Sequence, residues 1–122
     1  MNLATIGWVA LGGAAGSVAR AFVNMALQTR FPWATLLINA AGSFLIGWLM
    51  SRLGPVDTET ALPLRNLLVV GFCGGFTTFS SFSWQTLDQM LKGQWGAAVA
   101  NVLLSVVLCL LAVWLGFRLG RE

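Results

Sequence analysis

Residues 71–83 read Gly71-Phe72-Cys73-Gly74-Gly75-Phe76-Thr77-Thr78-Phe79-Ser80-Ser81-Phe82-Ser83, and this stretch decides the fold. It lies inside an apolar run, residues 67–90, close to the ~20 residues that cross ~30 Å of hydrocarbon. Its hydroxyls and glycines are too dense for a helix that faces only lipid. Gly74-Gly75 is predicted to break the helix, because glycine is a poor helix former. Membranes tolerate a break where the freed backbone lines a cavity or binds an ion. Carbonyls released there could coordinate a small cation such as Na+. Phe76, Phe79 and Phe82 recur every three residues and share a face, as a packing stripe or as the wall of a path.

Three more apolar runs surround this one, at residues 3–27, 33–50 and 95–117, so the chain reads as one four-helix transmembrane domain over residues 1–122. Helices are the default, since a spanning segment must satisfy its own backbone hydrogen bonds. The runs are continuous and few, unlike the alternating strands of a membrane barrel. Linkers fall at residues 28–32, at 51–65 with Gly54-Pro55 and Pro63, and at 91–94. Trp33, Trp48, Trp84, Trp95 and Trp114 lie near several run ends, where aromatic rings favour the interface. The first run lacks a basic start and a polar stop, so it reads as a span and not as a cleavable signal.

Composition agrees. Hydrophobic residues are 57% of the 122 and charged ones 9%, against roughly 25% charged in soluble domains. A soluble core of this size cannot hide that much apolar surface. Disorder is excluded on the same ground. The absence of His excludes histidine metal chemistry and leaves no base to activate a serine. Asp57, Glu59, Asp88 and Glu122 are too few and too scattered for carboxylate catalysis, so no enzyme is expected. The seven bases do not form a basic patch, which excludes nucleic acid as a partner. Cys73 and Cys109 read as free thiols inside apolar runs.

Four spans place both termini on one side. Arg52, Arg65, Arg118 and Arg121 fall on that side, and Arg30 and Lys92 on the other, with Arg20 nearby. So small a bias is a weak orientation signal, and a chain this undecided could insert both ways up. A short chain with polar residues in its spans is also expected to oligomerise.

Polar and small residues repeat at helical spacing. Gly12, Gly16 and Arg20 share one face of the first span, and Gly12/Gly16 form a GxxxG pair that lets a helix approach closely. Arg20 either faces a wet cavity or snorkels to the interface. Thr35, Asn39, Ser43 and Gly47 form a stripe on the second span. The Asn39 amide must find partners, as interhelical glue or along a pore. Asn101 and Ser105 continue a polar track on the fourth span.

These residues resemble the Fluc (CrcB) fluoride channels. Residues 12–20 resemble that family's GGxxGxxxR opening. Residues 34–44 resemble its GTLxVNxxGSF segment, with Ala34 and Ile38 as departures. Residues 71–82 resemble its GFxGGxTTFSTF signature, with Ser81 in place of the last Thr. The resemblance implies an all-α membrane protein of four transmembrane helices, the third broken in mid-membrane, assembled as an antiparallel dual-topology homodimer. It implies Phe79, Phe82, Asn39, Ser105 and Thr35 along a fluoride pore and Arg20 at the vestibule. It implies a structural Na+ at the dimer axis, held by the backbone carbonyls of Gly74 and Thr77. The implied role is passive export of cytoplasmic fluoride through the prokaryotic inner membrane, giving fluoride resistance. Fluoride is strongly hydrated, so its water must be replaced by donors such as hydroxyls, an amide and a guanidinium, and by the positive edges of Phe rings. The alternative is a proton-coupled exporter like the small multidrug-resistance transporters. That activity needs a membrane-embedded carboxylate, and Asp88 lies only near a span end.

Overall fold

A computed structural model describes residues 2–54 and 62–122. The expectations for Pro55, Asp57 and Glu59 in the second linker lie outside the described residues. Among the described residues the regular elements are all helical: α1 (Leu3–Ala26), α2 (Trp33–Leu53), α3 (Leu62–Arg65), a π-helical segment (Asn66–Cys73), α4 (Gly74–Phe76), α5 (Phe79–Leu91) and α6 (Trp95–Gly120). Four units, Leu3–Ala26, Trp33–Leu53, Leu62–Leu91 and Trp95–Gly120, are long and apolar enough to cross a membrane. The chain is a multi-pass integral membrane protein.

Local chemistry sets the ends. The Asn2 side chain accepts from the Thr5 N–H at 2.9 Å and caps α1. At the other end of the bundle Gly93 adopts φ +74°. That left-handed conformation favours glycine, and it turns the chain from α5 into α6. The second span is expected to end at residue 50, but α2 runs on through Arg52 to Leu53. The third span begins at Leu62, ahead of the expected residue 67. Arg52 lies over the Trp48 ring at 5.5 Å and Arg118 over Trp114 at 5.8 Å. Each cation thus stays in a helix whose apolar face continues past it, with its charge against an aromatic ring.

Glycines decide which helices meet. The α2–α6 pair closes through Gly47, which faces the Val113 carbonyl, and Gly116, which faces that of Phe44. The α1 pairing with the third span closes through Gly12 against Leu67 and Phe72, and Gly16 against Phe72 and Phe76. The GxxxG pair is therefore a packing surface, with no Cβ to hold the backbones apart. Gly12 and Gly16 are the buried residues of α1, and most of its other side chains face outward.

The interior is unusually polar. Thr35, Thr78, Thr86, Gln89, Asn101 and Ser105 are buried, while large apolar side chains cover the outside. In water this arrangement would be unfavourable. In a bilayer lipid covers the outside, and inside it Thr78 is bonded to Asn39 and Ser81, and Asn101 to Thr86 and Ser105.

Candidate functional site

The third span breaks three residues later than expected. Gly74 sits at φ −63°, ψ −37°, within the helical region, and α4 continues through Gly75 to Phe76. The departure comes at Thr77 (φ −79°, ψ 155°) and Thr78 (φ −149°, ψ 108°), both extended. The glycines serve close packing: a Cβ on Gly75 would lie 2.5 Å from the Gly13 carbonyl oxygen. Low helix propensity is outweighed there by contact with α1.

Long-range hydrogen bonds hold the break open. A continuing helix would give the Thr78 N–H to the Gly74 carbonyl. Instead that N–H donates to Asn39 Oδ1 at 2.8 Å, and Asn39 Nδ2 donates back to the Thr78 carbonyl at 3.1 Å. Arg20 Nη1 donates to the Thr77 carbonyl at 3.2 Å. The Thr77 hydroxyl and N–H both donate to the Cys73 carbonyl, at 2.8 and 3.0 Å, which closes α4. Thr78 then starts α5: its hydroxyl accepts from the Ser81 N–H at 3.2 Å, as an N-cap should. Arg20 is half-buried and reaches inward to the break rather than out to the interface.

Beside the break lies an open groove of ≈ 640 Å³. Asn39 and Ser43 line it from α2, Thr77 and Thr78 from the break, Phe79 and Phe82 from α5, and Ser105 from α6. The two Phe ring centroids are 5.5 Å apart and the planes are inclined by 45°. Phe79 is 78% exposed, which is far more than a core packing residue would show. Ser105 is buried and still contributes to the wall. Gly74 also lines the groove. The sequence-predicted residues Asn39, Ser105, Phe79, Phe82, Gly74 and Thr77 thus meet at one place. Thr35 does not join them at the wall; it is buried at 3% exposure, one helical turn from Asn39. Arg20 touches the site through Thr77 rather than by lining the groove.

Sequence reasoning missed five contributors: Gly42, Cys73, Cys109, Thr86 and Thr78. Gly42 packs against the Thr77 methyl and brings α2 up to the break. Cys73 and Cys109 are free thiols on the groove wall, where they had been read only as buried apolar groups. Thr86 joins Asn101 at 3.0 Å behind the wall. Only Thr78 left a local signal, a hydroxyl three residues ahead of Ser81.

A second, polar cavity of ≈ 460 Å³ opens at the α5–α6 end, lined in part by Arg30, Gln85, Asp88, Gln89 and Lys92. Asp88 pairs there with Lys92 at 2.7 Å, on an exposed helix end. It is therefore not a carboxylate embedded in the membrane interior. Among the described residues no cluster of His, Cys, Asp and Glu could hold a metal ion.

Comparison with known proteins places the chain. Three curated relatives carry the name "Fluoride-specific ion channel FluC". The one from Methylocella silvestris is 51% identical over 117 residues, covering 89% of this chain and 87% of that protein. The one from Paramagnetospirillum magneticum is 52% identical over 118 residues, covering 92% and 91%. The one from Magnetococcus marinus is 47% identical over 120 residues, covering 95% and 97%. The family model described as "CrcB-like protein, Camphor Resistance (CrcB)" matches residues 7–117, a range that takes in all three motifs, the break and the groove, and the chain belongs to the CrcB family.

Proposed function

We propose that this chain is a fluoride-selective channel that lets cytoplasmic fluoride leave passively through the inner membrane, conferring fluoride resistance, and that it is not an enzyme. The observation that carries the reading is the Phe79–Phe82 pair, with Phe79 exposed and Phe82 half-buried, on the wall that Ser105 and Thr78 also line. Ring edges attract an anion without gripping it. A hydroxyl donates where water has been stripped away. A path of several weak stations lets the ion enter and leave. The Arg20 charge beside the break raises the local anion concentration. The names of the relatives support the same reading. Among the described residues the exporter alternative finds no carboxylate in mid-span, since Asp88 is half-exposed near the end of α5 and salt-bridged to Lys92.

The working unit in this reading is an antiparallel homodimer within the lipid. The groove is open on one side with Phe79 at its edge, and a second copy would close it. The near-balanced basic residues support insertion both ways up. The break fits a structural Na+ in chemistry: the Gly74 carbonyl loses its helical donor to Asn39, and neutral carbonyl oxygens suit a hard monovalent cation. The Thr77 carbonyl already accepts from Arg20, and its second lone pair remains for the ion. Gly74 and Thr77 of two copies would hold that ion, whose contribution is charge that ties the two breaks together.

Purified protein in fluoride-loaded liposomes tests the function, with a potassium ionophore to relieve the charge imbalance. Fluoride should leave at a rate that scales with protein, and chloride should stay. Liposomes that retain fluoride would overturn the reading.

A further inference from the structure

Ser105 is the groove end of a chain of hydrogen bonds that crosses from α6 to α5. Its Oγ lies 3.4 Å from Asn101 Oδ1. Asn101 Nδ2 lies 3.0 Å from Thr86 Oγ1, and Thr86 Oγ1 lies 2.8 Å from the Phe82 carbonyl oxygen. All three side chains are buried, and Asn101 is only 2% exposed. The last link sets the direction of every other. A carbonyl only accepts, so the Thr86 hydroxyl proton points at Phe82. The Thr86 oxygen must then accept, which turns the Asn101 amino group toward it. Asn101 therefore shows its oxygen to Ser105, and Ser105 must donate. The one hydroxyl proton of Ser105 is thus held back from the groove. Its bond is long beside the ~2.7–2.8 Å usual between hydroxyl and oxygen.

We propose that Asn101 and Thr86 are positioning residues for anion passage. They hold the Ser105 hydroxyl on a weak bond from which a fluoride in the groove recruits it, and they tie that hydroxyl to the backbone carrying the Phe82 ring. This rests on the groove being the fluoride path. No proton is transferred; one hydrogen bond is exchanged for another. Recruitment leaves Asn101 Oδ1 without its donor, an unfavourable state for a buried acceptor. The bond therefore re-forms as the ion moves on, which keeps the station shallow and the ion mobile.

The test uses the full chain in liposomes and Thr86, because Val and Ser bracket its shape and its hydroxyl. Thr86→Val and Asn101→Leu should each slow fluoride efflux by about five- to tenfold, the scale of one lost hydrogen bond. Thr86→Ser should stay within about twofold of the unmodified chain because it keeps the donor. The double variant should be no slower than Asn101→Leu alone, since the chain is already broken. In the 15N-labelled unmodified protein, fluoride should move the Asn101 side-chain amide signals, and it should not do so in Ser105→Ala. A slow Ser105→Ala beside a fast Thr86→Val overturns the relay and leaves the path standing. An unmodified protein that passes no fluoride overturns the path and the relay with it, and a Ser105→Ala that conducts normally overturns the relay alone. Amide signals that ignore fluoride in the unmodified protein overturn the relay even where a variant fails to fold.

Discussion

The side-chain amide of Asn39 takes both backbone polar groups of Thr78: Oδ1 accepts from its N–H at 2.8 Å and Nδ2 donates to its carbonyl at 3.1 Å. An amide gripping one residue in this way imitates a neighbouring β-strand. It lets Thr78 stay extended between two helices with its backbone paired, which is the condition for irregular structure inside a membrane. Of the two open readings of Asn39, the interhelical glue is this pair of bonds, and the pore wall stays with the proposed path. Asn39 secures the break, and it lines the groove that the break creates.

Removing that amide should cost stability first. Thr78 is 7% exposed, so Asn39→Leu strands a buried N–H and a buried carbonyl, each at about 1–3 kcal/mol. Asn39→Asp keeps the acceptor and loses the donor, so it should melt between Leu and the unmodified chain. Its carboxylate would also put negative charge on the groove wall, and fluoride efflux should fall further than stability does. Thermal unfolding in detergent, paired with liposomal efflux, separates the two effects. An Asn39→Leu protein that melts normally would remove the clamp from the account.

Adjacent glycines should respond in opposite ways. A Cβ on Gly75 would lie 2.9 Å from the Gly13 Cα, a backbone atom that cannot move aside, whereas one on Gly74 would meet nothing within 4 Å. Gly75→Ala should destabilise the subunit by about 1–3 kcal/mol through overpacking. Gly74→Ala should leave subunit helicity and melting unchanged, or raise stability slightly through helix propensity. If a second copy approaches the break, Gly74→Ala should still lower the dimer fraction. Circular dichroism and light scattering in detergent read these two outcomes separately.

How much of this was legible in sequence follows from the range of each interaction. The four spans were legible because hydropathy is a local property of ~20 residues. Gly12 and Gly16 were legible as a packing face because their spacing is local too. The position of the break was not, since low propensity pointed to Gly74-Gly75. The true cause is the Thr78 N–H leaving for Asn39, 39 residues away in the chain. Asn101 and Ser105 could be paired by helical spacing, but Thr86 could not, because its bond to Asn101 crosses between helices. Arg20 illustrates the same limit: its two readings were equal on sequence, and its bond to the Thr77 carbonyl turns it inward.

The distribution of bases leads to a topology experiment. Arg52, Arg65 and Arg118 sit at the bundle end where α2 finishes, α3 begins and α6 finishes, and Arg65 reaches across that end to Met50 Sδ at 3.3 Å. At the opposite end Lys92 is neutralised by Asp88. C-terminal reporter fusions should show both orientations in cells. Adding two or three lysines to one end should drive insertion one way and impair fluoride resistance, and co-expression with an oppositely biased copy should restore it. Fusions that report one orientation throughout would refute dual insertion.

The permeation path is tested most directly at the two rings. Their centroids lie 5.5 Å apart, more than the roughly 4.5 Å of helical rise between residues three apart, because the rings splay outward from the axis. Phe79 is 78% exposed, so Phe79→Ile removes little packing within the subunit. Phe82 is half-buried and Ile occupies similar space, so the expected cost there is below about 1.5 kcal/mol. If the ring edges are stations for the ion, either substitution should cut fluoride efflux by about tenfold or more, the loss of an attraction of ~1.4 kcal/mol. Both proteins should still elute as the unmodified one does. A packing stripe predicts the reverse, with near-normal efflux and slightly weakened assembly. Efflux and size-exclusion profiles on both variants decide between them, and normal efflux in both would move the path off this face of α5.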